Sequence, residues 1–249
     1  MSDSEIRQMV IDGFHKMKTQ DDLLALLNKV YRNVLCSDVE ESVFKPITMK
    51  SLNYYKNVKA SGKRRYRTFY IRKKSGKMRT ISAPCRGLKV IQYCLNIIFQ
   101  AFYEPNANAC GFVPGKSIAD GAKAHTGKKY VYNIDLKDFF DTVELYRVKA
   151  MLTLPPFNLT DAKNNSQSLP YVIANLCCHP KQVTRLNSNG EWIEVTRPVL
   201  PQGAPTSPIL TNLVCRQMDR RLDGLARRFR ATYTRYADDI TFSANANLF

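Results

Sequence analysis

The amino-acid sequence predicts an α/β (α+β) fold in which a small antiparallel sheet packs on helices. Apolar residues recur at three- and four-residue steps in several stretches, which is typical of helices with one buried face. Other stretches are rich in β-branched and aromatic residues and are joined by short turn sequences, which indicates hairpins. With 249 residues, 44% of them hydrophobic, the chain can bury the core of one large domain or two small ones.

Helices are predicted in the N-terminal region and in two later segments. Within residues 1–35, Thr19-Gln20-Asp21-Asp22 is typical of a capping box and precedes an apolar stripe. A second stripe covers 88–102 and is expected to lie in the core. Ser207-Pro208 predicts the start of a third helix, with serine as the cap and proline at the first position, which continues to about Arg230.

Strands are predicted in four places, three of them hairpins. In chain order they are 66–71 with 78–81 around a turn at 74–77, 129–134 ending at Asp135, 183–195 around Asn187–Gly190, and Thr232–Phe242 with Ala237-Asp238-Asp239 at its tip. The connecting stretches 104–117 and 158–168 have the composition of loops.

The charge of the chain indicates a polyanionic partner. Lysine and arginine number 38 against 21 acidic residues, a formal net charge of +17, and nucleic acid is the simplest partner for such a surplus. The basic residues concentrate at 56–80, where they alternate with aromatic and β-branched residues on the first hairpin. A solvated face is the alternative, but this pattern favours a surface that lies against phosphates.

Several classes of protein are excluded. Seven scattered cysteines, none in a C-x-x-C pair, predict reduced thiols in a cytoplasmic protein rather than disulfides or a zinc site. The N-terminal sequence MSDSEIRQMV is acidic and polar, unlike a secretory signal. No apolar run approaches the ~20 residues of a membrane span, so we expect no membrane partner.

Three aspartates are the candidate catalytic residues. Asp238 and Asp239 are adjacent on the last hairpin, and Asp135 follows another strand. An isolated Asp-Asp pair is usually a solvated turn, but carboxylates from converging strand ends can hold two divalent ions roughly 4 Å apart. Together with the basic hairpin, which supplies positive charge for phosphates, they predict metal-dependent nucleotidyl transfer.

Three motifs resemble those of reverse transcriptases, in the right order along the chain. Tyr236-Ala237-Asp238-Asp239 resembles the Y-x-D-D box, Asn133–Phe140 the first catalytic motif, and Leu200–Pro208 the Q-G-x-x-x-S-P motif. The resemblance runs from about residue 60 to the C-terminus.

The sequences of these motifs are most similar to those of bacterial retron reverse transcriptases. The similar segments are Q-G-A-P-x-S-P, Thr234–Thr241, and Cys110-Gly111-Phe112 followed by Ser117-Ile118. The retron element N-A-x-x-H corresponds to Gly121-Ala122-Lys123-Ala124-His125, in which glycine stands where asparagine is expected.

The resemblance implies the metal ligands. Asp135 and Asp238 would be the principal ligands, Asp239 the third carboxylate, and the carbonyl of Leu136 a further ligand. Two Mg²⁺ ions are implied, with Mn²⁺ as a possible substitute.

It also implies residues that contact the nucleotide and the RNA. Arg79 and Lys77 would grip the triphosphate, as Arg pairs well with phosphate, and Lys74 is a weaker candidate for the same role. The other residues implied near the nucleotide are Asp138, Phe139, Phe140, Gln202 and Gly203. Phe140 would exclude a 2′-hydroxyl, although one of the two neighbouring phenylalanines is expected to be ordinary core. His125 would touch RNA or make a structural hydrogen bond.

As a whole, the resemblance implies a polymerase right hand. Residues 1–55 would be an N-terminal helical region, 56–130 the fingers and 131–249 an incomplete palm without a thumb. The implied activity is RNA-directed DNA synthesis on a structured non-coding RNA, primed by a guanosine 2′-hydroxyl, in phage defence. The implied partners are template and primer RNA, the RNA–DNA hybrid, dNTPs and an effector protein.

Two alternatives remain open from the residues alone. The first is a group II intron-type or diversity-generating reverse transcriptase, which shares the chemistry. The second is a nucleic-acid-binding scaffold that does not polymerise, against which the complete set of aspartates argues because like charges are costly to hold together.

Overall fold

The computed structural model describes residues 1–58, 64–72, 76, 78–161 and 166–246. Its helices are α1 (Asp3–Lys16), α2 (Gln20–Val30), α3 (Met49–Lys56), α4 (Arg86–Phe102), α5 (Ile118–Lys123), α6 (Leu145–Thr153), α7 (Leu169–Cys177) and α8 (Ser207–Arg228). Its strands are β1 (Tyr66–Arg72), β2 (Met78–Pro84), β3 (Tyr130–Asp135), β4 (His179–Leu186), β5 (Trp192–Val199), β6 (Thr232–Tyr236) and β7 (Asp239–Ala244). Helices with small antiparallel sheets confirm the predicted fold class.

These elements divide into two compact units, and each unit is built from two separated stretches of chain. The first unit joins Met1–Phe102 with Phe140–Ser207, and the second joins Tyr103–Phe139 with Pro208–Phe249. Each of the three predicted domains, the helical region, the fingers and the palm, is instead one continuous stretch of chain. The predicted division into these domains stays a prediction.

The first unit contains most of the helices. Helix α2 begins with the predicted capping box, in which the Thr19 hydroxyl accepts from the Asp22 N–H and the Asp22 carboxylate accepts from the Thr19 N–H. The apolar stripe of α4 is fully buried at Leu88, Ile91 and Leu95, which confirms its prediction as core.

Two antiparallel hairpins belong to the same unit. Strands β1 and β2 pair from Tyr66↔Pro84 to Arg72↔Met78, as predicted, while Lys74 and Lys77 of their turn lie outside the described residues. Strands β4 and β5 pair from His179 to Val199, further at both ends than the predicted 183–195.

The second unit carries a three-stranded antiparallel sheet in the order β3-β7-β6. One face packs on α8, where Tyr233, Ile240 and Ala226 are buried against Met218 and Leu222. Because side chains alternate along a strand, the opposite face carries the residues at odd positions of β3 and β7, including Asp135 and Asp239. The predicted antiparallel sheet backed by a helix is therefore present.

Two local expectations are corrected. Asp239 is the first residue of β7 rather than part of the hairpin tip, because it pairs with Tyr236. Ser207 lies inside α8 and does not act as its cap, because its hydroxyl donates to the carbonyl of Pro201 at 2.7 Å.

No helix in the described ranges is both long enough and apolar enough to cross a membrane.

Candidate active site

Two of the three predicted catalytic aspartates face each other across neighbouring strands. Asp135 ends β3 and pairs directly with Asp239, which begins β7. Side chains at directly opposite positions share a face of the sheet, with Cβ atoms about 4.5–5.5 Å apart. The Leu136 N–H donates to the carbonyl of Asp238 at 3.0 Å, so the third aspartate is tied to the end of the same strand. The sheet thus gathers residues from two distant parts of the sequence.

The connection between β6 and β7 is a tight turn of two residues, Ala237 and Asp238. Ala237 adopts a φ of 56°, in the left-handed region that favours glycine. Two-residue hairpin turns require positive φ, and a residue with a Cβ adopts it at a cost of about 1–2 kcal/mol. The Ala237 carbonyl accepts a hydrogen bond of 3.0 Å from Nη1 of Arg235, which helps to hold the turn.

The electrostatics of the turn reflect crowded negative charge. Partial burial, together with the charges of Asp238 and Asp135, raises the pKa of the Asp239 carboxyl. The negative charges of Asp135 and Asp238 therefore disfavour ionisation of the Asp239 carboxyl. A bound cation would relieve this repulsion, so the cluster has the chemistry of a cation site.

The donor set fits a hard divalent cation by type. Carboxylates and a backbone carbonyl supply only oxygen atoms, which Mg²⁺ prefers. In the part of the chain that the structure describes, however, no group of three His, Cys, Asp or Glu side chains converges closely enough to hold a metal ion. The structure brings Asp135 and Asp239 together on one face of the sheet, and a metal site that includes Asp238 stays a prediction.

The segment Asn108–Gly111 packs directly against the turn. The Arg235 N–H donates to the Asn108 carbonyl at 2.9 Å, and the Cys110 N–H donates to the Arg235 carbonyl at 2.8 Å. A Cβ placed on Gly111 would overlap the backbone nitrogen of Ala237 and lie 3.0 Å from the carbonyl carbon of Tyr236. Only glycine fits at this position, and the sequence reasoning assigned Gly111 no role.

His125 is tied into the same unit through both ring nitrogens. Nδ1 lies 2.6 Å from the Ser243 hydroxyl and Nε2 lies 2.7 Å from the Thr234 hydroxyl. Burial, and to a lesser extent Lys128, lowers the pKa of the ring. These contacts fit the structural alternative, and a contact with RNA stays a prediction.

A cavity of about 490 Å³ lies on the sheet face that carries Asp239. Its floor is formed by Asn133, Thr234 and Thr241 of the three strands, and α5 covers it from Ile118 to Ala122. The cavity is large enough for a small organic molecule.

The residues predicted near the nucleotide fall in both units. Asp138, with a φ of 51°, and the buried Phe139 belong to the second unit with the aspartates. Phe140, half-buried on the 3₁₀ turn Phe139–Thr142, belongs to the first. Of this adjacent pair, Phe139 is the core phenylalanine. Lys74 and Lys77 are outside the described residues.

Within the first unit, the Q-G motif meets the basic hairpin. The Ser82 N–H of β2 donates to the Gln202 carbonyl at 2.8 Å. Gly203 has a φ of +119°, and a Cβ there would lie 2.8 Å from Cγ2 of Ile81. Arg79 is exposed on the same strand. The structure therefore brings Gln202 and Gly203 to the strand that carries Arg79.

Sequence reasoning also missed a buried ion pair behind the turn, between Arg235 and Asp219. Arg235 lies inside the retron-like segment Thr234–Thr241, and this position was the sequence signal that could have indicated a role for it. Nothing in the sequence indicated Asp219 as its partner.

Comparison with known proteins adds an independent observation. A family model described as reverse transcriptase (RNA-dependent DNA polymerase) matches residues 71–247. The chain is 39% identical over 188 residues to the retron Mx65 reverse transcriptase of Myxococcus xanthus, covering 73% of this chain and 41% of that protein. It is 40% identical over 181 residues to the retron Mx162 reverse transcriptase of the same organism, covering 72% and 35%. It is 33% identical over 186 residues to the retron Ec86 reverse transcriptase of Escherichia coli, covering 73% and 50%. The chain thus spans half or less of the length of these relatives.

Proposed function

The chain belongs to the reverse transcriptase (RNA-dependent DNA polymerase) family, and from this membership we propose that it carries the catalytic carboxylates of a retron-type RNA-directed DNA polymerase. In the proposed reaction, a primer hydroxyl attacks the α-phosphate of a dNTP on an RNA template. A new P–O bond forms to the primer oxygen as the hydroxyl proton is released to water. The bond between the α-phosphorus and the oxygen that bridges to the β-phosphate breaks, and pyrophosphate leaves. The template would be a structured non-coding RNA.

One observation carries the proposal: Asp135 and Asp239 are paired across β3 and β7, directly beside the Tyr236–Asp239 turn. This face carries negative charge in a chain whose net charge of +17 otherwise favours contact with phosphates. A surface built only for binding nucleic acid gains nothing from this arrangement. A catalytic role accounts for the acidic residues on this face.

Reverse transcriptases generally depend on divalent metal ions. In this chain Asp135, Asp238 and Asp239, with the Leu136 carbonyl, would hold two Mg²⁺ ions, and Mn²⁺ would be a substitute for them. When bound, these ions would lower the pKa of the primer hydroxyl and neutralise charge on the leaving pyrophosphate. Asp135 and Asp239 would contribute by orientation, since the pairing of β3 with β7 places them on one face of the sheet.

The remaining predicted residues would select and hold the nucleotide. Arg79, with Lys77 and more weakly Lys74, would pair with the triphosphate, and Gln202 and Gly203 would lie near the nucleotide. Asp138 and Phe139 would line the triphosphate. Phe140 would lie against C2′ of the sugar and exclude ribonucleotides by shape.

The partners proposed are the template and primer RNA, the RNA–DNA hybrid that forms from them, and an effector protein that acts with the enzyme in phage defence. The high net positive charge supports a polyanionic partner. No disulfide forms among the cysteines of the described residues, which supports the cytoplasmic location that we propose.

The proposal is tested with Asp238→Asn and Asp239→Asn combined. We expect Mg²⁺ to raise the melting temperature of the wild-type chain, and we expect the double variant to lose both this rise and dNTP incorporation on a primed RNA template. Glu40→Gln with Glu41→Gln is the matched control, because it removes another adjacent acidic pair that is exposed. Undiminished synthesis by the aspartate variant would show that these residues do not carry the reaction.

A further inference from the structure

A buried ion pair lies directly behind the catalytic turn, the segment Tyr236–Asp239. Arg235 is 0% exposed and Asp219 of α8 is 2% exposed. Nε and Nη2 of Arg235 each donate a 2.7 Å hydrogen bond to one oxygen of the Asp219 carboxylate, in the bidentate geometry that makes such pairs strong. Burial opposes the charge, but the hydrogen bonds with Asp219 raise the pKa of Arg235 above its usual value. The Arg235 guanidinium is therefore charged at neutral pH.

The same guanidinium reaches the turn itself. Its Nη1 donates to the carbonyl of Ala237 at 3.0 Å, and Ala237 is the residue with positive φ that immediately precedes Asp238. Its Nη2 also donates to Oδ1 of Asn212 at 3.1 Å. One planar group thus joins the turn to two residues of α8.

Asn212 extends the connection to the other side of the turn. Its Nδ2 donates to the carbonyl of Gly111 at 2.9 Å, and Gly111 is the residue that packs against the Tyr236–Ala237 backbone. Asp219 accepts a further 2.7 Å hydrogen bond from the Tyr233 hydroxyl. The turn is therefore fixed at its carbonyl by Arg235 and against its backbone by Gly111, with α8 supporting both.

A buried ion pair can serve stability alone, but this one is poorly explained that way. Removing two charges from water offsets most of their attraction, and apolar side chains of similar volume often stabilise a core as well. An apolar replacement could not donate to the Ala237 carbonyl or to Asn212. The geometry is specific to a planar group with several donors, which lysine cannot reproduce.

We infer that Arg235, Asp219 and Asn212 are positioning residues, which hold the catalytic turn so that Asp238 and Asp239 meet Asp135 in the arrangement that nucleotidyl transfer requires. All three are buried, so none of them is placed to touch a substrate. The inference rests on the proposed polymerase function for its kinetic consequence, whereas its structural consequence is independent of any activity.

The principal test is Arg235→Lys in the whole chain, with Arg220→Lys as control, because Arg220 is exposed on the same helix as Asp219 and Asn212. Lysine keeps the charge beside Asp219 but cannot hold Asp219, Asn212 and the Ala237 carbonyl together. We expect kcat for dNTP incorporation to fall at least about tenfold, with KM for dNTP within about twofold, since a misplaced catalytic group affects the chemical step. We expect unchanged kinetics from the control.

Hydrogen–deuterium exchange provides the readout that does not need activity. The peptide spanning Tyr236–Ile240 should exchange faster in Arg235→Lys than in the wild-type chain, while the β4–β5 peptides should not change. Wild-type kcat together with unchanged exchange at the turn would overturn the inference. An equal loss of protection throughout the chain would also overturn it, because the residue would then be a general structural support.

Asn212→Ala is the second test of the inference, and it is used if Arg235→Lys does not fold. This variant preserves the ion pair and removes only the links to Gly111 and Nη2 of Arg235. We expect the same selective increase in exchange at the turn and a fall in kcat of several-fold. Wild-type exchange and kcat would refute the inference. Absence of dNTP incorporation by the wild-type chain would instead refute the proposed function and leave the exchange test standing.

Discussion

Gly111→Ala probes the close approach of Gly111 to the backbone of Tyr236 and Ala237. A Cβ on Gly111 would overlap the backbone nitrogen of Ala237 and lie 3.0 and 3.1 Å from the carbonyl carbon and Cα of Tyr236. All three are main-chain atoms, so no flexible side chain can turn away to make room. The φ of Gly111 is outside the left-handed region, so the whole effect is steric.

The size of the effect follows from the displacement required. Ordinary carbon contacts begin near 3.5 Å, so the turn or the 108–111 segment must move by about 1 Å. A shift of about 1 Å in catalytic groups can lower the rate about 100-fold. Overpacking of this kind also costs about 1–3 kcal/mol of unfolding free energy. For a chain of this size, that lowers the melting temperature by about 2–12 °C.

The assay combines single-nucleotide incorporation with thermal unfolding, and Gly224→Ala is the matched control. Gly224 lies in α8, where a Cβ would have no atom within 4 Å, so the same substitution meets open space there. Because alanine is the better helix former by about 1 kcal/mol, this control should be slightly stabilising and fully active. If Gly111→Ala were as active and as stable as Gly224→Ala, the close approach to the turn would be refuted.

Three further predictions follow from other contacts. The raised pKa of Asp239 means that the folded chain binds a proton more tightly than the unfolded chain, so ionisation costs stability as pH rises from the unfolded value through the folded one. Asp239→Asn should therefore raise the melting temperature at pH 7 and lose that advantage in acid; a lower melting temperature at pH 7 would contradict this. Phe140→Ala should admit rNTPs, measured as the ratio of kcat/KM for dNTP and rNTP, and an unchanged ratio would refute its role as the gate. Gly203→Ala, which combines positive φ with a Cβ 2.8 Å from Ile81, should cost about 1–3 kcal/mol in thermal unfolding, and an unshifted transition would argue against it.

The sequence was informative wherever the determinants are local. Helix α4 follows from its apolar stripe, α2 from its capping box, and the hairpins from their turn residues. The pairing of Asp135 with Asp239 was also within reach, because each motif marks the end of a strand. Short-range periodicity and turn chemistry encode these features directly.

The features that could not be predicted from the sequence depend on contacts between residues far apart in the chain. The Arg235–Asp219 pair joins a strand to a helix, and no local pattern in the sequence relates the two residues. Gly111 contacts the Tyr236–Ala237 backbone, which lies more than 100 residues later in the sequence. No local pattern distinguishes a glycine needed for close packing from one needed for a turn.

The discontinuous second unit has a consequence for biosynthesis. Strand β3 leaves the ribosome about 100 residues before β7, its only hydrogen-bonded neighbour among the described strands, which at about 5–20 residues per second is a delay of roughly 5–20 s. During that interval a strand rich in tyrosine and aliphatic residues has an open edge, which invites pairing with other nascent chains. Emergence of β7 from the ribosome is therefore the step that covers one edge of β3 and assembles the pair of aspartates.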